Sequence, residues 1–192
     1  MPMSDIASTP KLMVIAGPEG SGKSTAMRGF PFIGMYINAD DIKTRRKCSD
    51  IEAENEAELI RGNLLNLRKD FTFETSLSDE SSIMFLEIAK GIGYCIESVF
   101  VLTCDPMLNI KRIKSRVMQG GFDVLTDKGN ARYKKSLQLL KRLVVLSDTC
   151  IVIDNTERPE VIYKKDTNEA LYLPNDFWSE DKIEGLIGML QR

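Results

Sequence analysis

Residues 12–24 join a short apolar run to a glycine-rich loop, and this junction constrains the fold more than any other part of the chain. Leu12–Ala16 is apolar throughout and long enough for a buried parallel strand. Gly17–Ser24 follows at once and reads G-x-x-x-x-G-K-S, the P-loop pattern that links a strand to a helix. Glycines let such a loop turn successive backbone N–H groups toward one anion. The pattern predicts a nucleoside triphosphate site, and the alternative is a glycine-rich turn with an incidental lysine.

The side chains of this loop indicate how ATP and Mg²⁺ would be held. Lys23 supplies a point charge for the β- and γ-phosphates, and the Ser24 hydroxyl is a ligand for Mg²⁺. The start of the following helix adds the positive end of its dipole. The residues predicted to bind ATP are Gly17, Pro18, Glu19, Gly20, Ser21, Gly22, Lys23, Ser24 and Thr25.

Composition limits the classes of function that remain. A net charge of −2 gives no overall field that would draw the chain to nucleic acid or to a membrane. The chain has no histidine, which excludes histidine-based triads and histidine-ligated metal sites. Its four cysteines form no C-x-x-C pair, so we expect reduced thiols. No apolar run reaches 18 residues and residues 1–11 lack a signal-peptide core, so we expect a cytoplasmic protein.

Strand patterns alternate with helix patterns along the chain, which predicts an α/β fold with a mostly parallel sheet and helices on both faces. We expect three layers, five strands and one domain over residues 1–192, with a flexible N-terminus at 1–10. Residues 157–192 are predicted to add a small hairpin and a terminal helix. The five predicted strands are Leu12–Ala16, Pro31–Ile37, Asp70–Glu74, Tyr94–Thr103 and Thr149–Ile153, and the long helices are 51–69, 79–92, 106–119 and 126–146.

Acidic residues follow two of these strands, at the edge of a parallel sheet where ligands bind. Asp40 and Asp41 come after the second strand and can orient an acceptor hydroxyl and take its proton, or hold Mg²⁺ through water. An aspartate that caps the next helix is the alternative. Glu74, Thr75 and Ser76 follow the third strand and can grip the hydroxyls of an acceptor, unless they only form a turn.

Cations on the helix after the fourth strand provide the charge that phosphoryl transfer needs. Arg112 and Arg116 are four residues apart and share one helix face, from which both can reach a transferred phosphate. Arg132 on the next helix can complete the enclosure. The alternative is a solvated cationic surface.

Six segments, taken in order, resemble the zeta toxin family of P-loop kinases, and most closely its small chromosomal branch of predicted ATPases. The resemblance covers about residues 11–156. It rests on 17–25 (GPEGSGKST), 37–42 (INADDI), 73–77 (FETSL), 116–124 (RVMQGGFDV), 131–137 (ARYKKSL) and 153–156 (IDNT).

The resemblance implies a nucleoside-kinase-like fold and an ATP- and Mg²⁺-dependent kinase. It also implies a nucleotide-sugar acceptor such as UDP-N-acetylglucosamine and a small antitoxin partner. By motif, the aspartate after the second strand would be the base, Glu74 with Ser76 would hold the acceptor, and Arg116 would meet the γ-phosphate. Two positions depart from the family: Asn38 stands where the toxins carry aspartate, which moves the expected base to Asp40, and Phe122 replaces a lid cation.

Other functions stay open on the sequence alone. An ATP-binding regulatory protein or degenerate toxin with little transfer activity is consistent with Asn38 and Phe122. Kinases for a dinucleotide or for a polynucleotide end share the P-loop, although the net charge disfavours the polynucleotide.

Overall fold

The helices and strands follow the predicted alternation. The computed structural model describes residues 9–118, 126–167 and 169–188. The strands are β1 Lys11–Ala16, β2 Met35–Ile37, β3 Phe71–Thr75, β4 Cys95–Leu102, β5 Thr149–Asp154, β6 Glu160–Lys165 and β7 Ala170–Tyr172. The helices are α1 Lys23–Ala26, α2 Ala39–Arg46, α3 Asp50–Asn66, α4 Ser81–Gly91, α5 Pro106–Met118, α6 Thr126–Leu146 and α7 Glu180–Ile187. Most of the predicted N-terminal segment 1–10, and Phe122, lie outside the described residues.

The described strands form one sheet in the order β2-β3-β1-β4-β5-β6-β7. The first five of these are parallel, and β6 and β7 run antiparallel to their neighbours. Ala16 at the end of β1 is in register with Thr75 of β3 and with Phe100 of β4. The carboxyl ends of the central strands therefore lie along one edge, and the predicted α/β fold is confirmed.

The strand count was wrong, because the C-terminal hairpin continues the sheet to seven strands. β6 pairs with β5 through Val152 and Tyr163, and β7 pairs with β6 through Tyr163 and Tyr172. Without β6, strand β5 would leave a row of unpaired backbone groups at the sheet edge. The hairpin satisfies those groups, which the alternation pattern alone does not reveal.

The larger core lies where the long helices cover one face of the sheet. Alternate residues of β1 and β3, such as Leu12, Val14, Phe71 and Phe73, belong to this core. The helices contribute Ala57, Leu65, Leu86, Leu140, Leu143, Ile183 and Ile187. A smaller cluster of Met13, Ile15, Val99, Val101 and Ile153 packs with Ala26 and Met27. The four cysteines are free, as expected.

Helix α2 was not predicted, although its first residues have the usual features of a helix start. Asn38 is the N-cap, and its side-chain oxygen accepts a hydrogen bond of 2.8 Å from the backbone N–H of Asp40. Asp40 and Asp41 occupy the first turn, where acidic side chains favour the helix dipole. The short helix lacks an apolar stripe, with Ile42 as its buried residue, so periodicity could not indicate it.

Replacement of Phe71 by alanine should destabilise the fold strongly. The ring is fully buried and packs edge-on against Phe85 and Tyr94. We expect the free energy of unfolding, measured with urea, to fall by about 3–5 kcal/mol. Leu59→Ala is the matched control, because this side chain is 69% exposed and its loss should cost within about 0.5 kcal/mol. Equal losses in the two variants would contradict this description of the core.

Candidate active site

The predicted P-loop has the geometry of an anion cradle. It connects β1 to α1, and Gly17, Gly20 and Gly22 all have positive φ angles, of 141°, 77° and 84°. The Lys23 ammonium is buried beneath the loop and donates a hydrogen bond of 2.9 Å to the carbonyl oxygen of Gly17. Ser24 and Thr25 follow on α1 and are exposed, so the Ser24 hydroxyl is accessible to Mg²⁺.

Residues that follow β5, and Arg112 on α5, lie beside the loop at Gly22. Asn155 donates a side-chain hydrogen bond of 2.7 Å to the carbonyl oxygen of Ser21, and a Cβ atom at Gly22 would lie 2.2 Å from that amide nitrogen. Arg112 on α5 donates to the carbonyl oxygen of Thr156 at 2.9 Å. Its other terminal nitrogen, Nη1, is buried and has no hydrogen-bond partner among the described residues. Since a buried unpaired donor is costly, this nitrogen fits an anionic ligand at the loop.

Glu74 lies at the centre of a polar cluster beside the P-loop. Its Oε1 atom is 3.7 Å from the Lys23 ammonium. Its Oε2 atom accepts hydrogen bonds from the Tyr36 hydroxyl at 2.8 Å and from the Asn38 amide at 3.1 Å. Both carboxylate oxygens are therefore held in place, one by Lys23 of the P-loop and the other by Tyr36 on β2 and Asn38 at the start of α2.

Tyr36 is a site residue that the sequence analysis did not single out. Burial raises the pKa of its hydroxyl well above the ordinary value, the Asn38 hydrogen bond lowers it, and the Glu74 carboxylate raises it again. The hydroxyl therefore stays protonated and can donate to Glu74. The sequence feature that could have indicated Tyr36 is its position in the predicted second strand, close to the end of that strand.

Asp40 and Asp41 lie on the exposed first turn of α2. The backbone N–H of Asp40 is held by Asn38, and the negative charge of Asp41 contributes to the raised pKa of Tyr36. In this part of the described structure, the hydrogen bonds to Glu74 come from Asn38 and Tyr36. Both aspartate side chains are exposed and follow Asn38 directly in the chain after Ala39.

The hydroxyls of Thr75 and Ser76 contribute to the loop between β3 and α4. Thr75 Oγ1 lies 2.9 Å from Ser82 Oγ and accepts a bond of 3.0 Å from the backbone N–H of Leu77. Ser76 Oγ is 2.9 Å from Ser78 Oγ. Both hydroxyls therefore already have a serine partner in this part of the chain.

Helix α6 contacts both the P-loop and the loop between β3 and α4. Arg132 forms a salt bridge of 2.9 Å with Glu19 of the P-loop, and Tyr133 donates a hydrogen bond of 2.5 Å to the carbonyl oxygen of Thr103. Ser136 donates to the carbonyl oxygen of Ser76 at 2.7 Å. Arg116 is on α5, and its side chain lies outside the described residues.

The described residues lack two kinds of feature. Over residues 9–118, 126–167 and 169–188, no cluster of three or more His, Cys, Asp or Glu side chains is arranged to hold a metal ion. Mg²⁺ binds nucleotides largely through phosphate oxygens and water, so a site for this ion beside the P-loop needs few protein ligands. Within the same ranges, no helix combines the length and apolarity needed to cross a membrane.

Comparison with known proteins identifies the fold. No family model matches the chain. An uncharacterized protein of Haemophilus influenzae is 28% identical over 130 residues, which are 64% of this chain and 92% of the relative. The structure from the characterization of the PezAT chromosomal toxin-antitoxin system of Streptococcus pneumoniae aligns with a TM-score of 0.60 and 15% identity, covering 93% of this chain and 83% of the other.

A second solved structure agrees. The AvrRxo1-ORF1:AvrRxo1-ORF2 complex has been solved with sulphate ions and with ATP. The sulphate structure aligns with a TM-score of 0.69 and 13% identity, and the ATP structure aligns with a TM-score of 0.67 and 12% identity. Each alignment covers 93% of this chain and 64% of the other, so the chain spans less than two thirds of that protein. The chain therefore shares its α/β fold with both of these solved structures.

The buried hydroxyl of Tyr133 predicts a loss of stability in alkali. Burial raises its pKa from an ordinary value of 10.0 to about 12. A raised pKa in the folded state stabilises the fold below pH 10, and this contribution is lost as the pH rises from 10 to 12. We expect Tyr133→Phe to show a smaller decrease in the free energy of unfolding across that interval than the parent chain, by on the order of 2 kcal/mol. Parallel curves for the two proteins would contradict the assignment.

Proposed function

We propose that this chain is an ATP- and Mg²⁺-dependent phosphotransferase that moves the γ-phosphate of ATP onto a hydroxyl group of a small molecule. The observation that carries the proposal is the 3.7 Å contact between the P-loop lysine, Lys23, and Glu74 at the end of β3. It joins a phosphate-binding loop to a polar cluster suited to an acceptor. Direct transfer requires this proximity of donor and acceptor.

On the nucleotide side, the loop Gly17–Thr25 would hold the triphosphate through its backbone N–H groups and Lys23. When bound, Mg²⁺ neutralises charge on the β- and γ-phosphates, with Ser24 as its protein ligand. Arg112 has an unpaired buried nitrogen beside Gly22 and is suited to the phosphate chain. Arg116 and Arg132 complete the proposed set of cations, and Arg132 would exchange Glu19 for phosphate oxygens.

On the acceptor side, Asp40 would take the proton of the attacking hydroxyl. The acceptor oxygen forms a bond to the γ-phosphorus as the bond to the departing ADP breaks. Glu74 and Ser76 would orient the acceptor hydroxyls, and Asn38, Asp41 and Thr75 would border the same space. Glu74 suits orientation better than proton transfer, because both of its oxygens already accept or pair with neighbours.

The acceptor that we propose is a nucleotide sugar such as UDP-N-acetylglucosamine, and the proposed partner is a small antitoxin protein. The resemblance of the six motifs to zeta toxins supports both. The fold shared with the structure from the PezAT toxin-antitoxin system is consistent with them. We further propose that the whole chain acts as one domain in the cytoplasm, without membrane or nucleic acid.

A second function is favoured by Asn38. An amide occupies the end of β2 and donates to Glu74, where the related toxins carry a carboxylate. A chain with a weakened base could bind ATP and act as a nucleotide-dependent regulator with little transfer. Incubation with labelled ATP and a pool of cell metabolites separates the two functions, because a phosphorylated acceptor excludes the regulator.

Asp40→Asn tests the proposed base. We expect phosphate transfer to the acceptor found in that pool to fall by about 10²–10⁴-fold, because the hydroxyl loses its proton acceptor. The affinity for ATP, measured by calorimetry, should stay unchanged. Asp50→Asn is the control, since this exposed aspartate pairs with Lys43 at the start of α3. Full turnover in the Asp40 variant would refute the assignment.

Lys23→Met tests the nucleotide site independently of the acceptor. Loss of a charged donor should weaken ATP binding by roughly ten- to a hundredfold in calorimetry. Lys11→Met removes a lysine that pairs with Glu97 on an exposed part of the sheet and should leave ATP binding intact. Unchanged affinity in the Lys23 variant would show that the triphosphate binds elsewhere.

A further inference from the structure

An exposed aromatic ring is stacked on a tyrosine of the candidate active site. The rings of Phe32 and Tyr36 are almost parallel, with centroids 4.4 Å apart and an interplanar angle of 15°. Tyr36 covers one face of the Phe32 ring, yet the phenylalanine remains 46% exposed. A large apolar side chain on the surface gains little for the fold, so its open face calls for another explanation.

The segment that carries Phe32 is fixed to the sheet. Thr72 on β3 accepts a hydrogen bond of 2.9 Å from the backbone N–H of Ile33 and donates one of 2.7 Å to its carbonyl oxygen. Gly34 has a φ angle of 57°, and a Cβ atom there would lie 1.9 Å from the carbonyl oxygen of Asp70. The ring of Phe32 is therefore presented in a set position before any ligand arrives, which lowers the entropic cost of stacking on it.

The stack leads directly to the residues proposed to hold the acceptor. The Tyr36 ring that supports Phe32 ends in the hydroxyl that donates to Glu74 at 2.8 Å. Glu74 in turn lies 3.7 Å from the ammonium of Lys23. The exposed Phe32 ring therefore contacts the same tyrosine that donates to Glu74, the residue that would orient the acceptor hydroxyl.

We propose that Phe32, supported by Tyr36, determines acceptor specificity by stacking a planar heteroaromatic ring of the acceptor, such as a nucleobase. The hydroxyl of the same molecule then reaches Glu74. This inference rests on the proposed function only for the role of Glu74. A stacking surface at Phe32 would favour an acceptor that carries a nucleoside over a free sugar. Face-to-face or offset stacking on an aromatic side chain accepts any nucleobase, so the residue selects a class of acceptor and not one base.

The Phe32→Trp variant turns the stacking surface into a fluorescent reporter. The natural chain has a single tryptophan, Trp178, which is buried and gives a constant background. A non-hydrolysable ATP analogue with Mg²⁺ occupies the P-loop, and uridine, cytidine, adenosine and guanosine are then titrated separately. These nucleosides are uncharged, so their binding reports contact with the ring and not attraction to cations. We expect saturable quenching by at least one of them and none by N-acetylglucosamine.

Phe30→Trp is the matched control, because Phe30 lies two residues away, is 38% exposed and is outside the Phe32–Tyr36 pair. The tryptophan introduced there should show no saturable quenching. Failure of all four nucleosides to quench the Phe32→Trp protein, or equal quenching of both variants, would overturn the proposal and assign the stack to the stability of the loop.

The Phe32→Leu variant gives an independent measure without a reporter. We expect the nucleoside that quenches most strongly to bind on the order of tenfold more weakly to this variant in equilibrium dialysis. Affinity for the ATP analogue and the melting temperature should match the parent chain. Equal nucleoside affinity in the two proteins would overturn the proposal. If the ATP analogue does not bind to the parent chain, the proposed function is refuted instead. The stacking proposal is then still tested, because quenching of the Phe32→Trp protein by nucleosides can be measured without the analogue.

Discussion

The ammonium of Lys23 is the interaction on which the arrangement of the site depends. It is buried under the P-loop, donates to the carbonyl oxygen of Gly17 and lies beside the Glu74 carboxylate. A buried charge is tolerated only when it is paired and hydrogen-bonded, so the lysine holds the end of β1 against the end of β3. Arrival of a triphosphate would offer this ammonium a stronger set of oxygens and release part of its attraction for Glu74.

Glu74 also contacts residues of β2 and its C-terminal end, so the site joins the ends of three strands, β1, β3 and β2. Tyr36 and Asn38 both donate to its second oxygen, and Asn38 simultaneously caps α2. The start of α2 and the orientation of Glu74 are therefore set by one amide side chain. This explains how an asparagine can stand at the end of β2 without loss of order, although it cannot serve as a proton acceptor.

The sequence allowed the fold to be predicted better than the contacts within the site. Because the strand ends of a parallel sheet share one edge, the proximity of the P-loop to Glu74 could be anticipated from two apolar runs and their positions. The role of Tyr36 could not, since a tyrosine in a short strand is equally suited to a purely structural place. Nor could the pairing of β6 with β5, because periodicity gives the faces of a strand but not its neighbours. The catalytic role given to Asp40 stays a prediction.

Residues 132–136 of α6 contact both halves of the site within little more than one helical turn. Arg132 pairs with Glu19 of the P-loop, Tyr133 with the end of β4, and Ser136 with the backbone of Ser76. These contacts lie within five residues of one helix, so α6 is the element through which a displacement of the P-loop would reach the β3–α4 loop. A triphosphate that drew Arg132 away from Glu19 would leave Tyr133 and Ser136 as the contacts that hold this part of α6 in place.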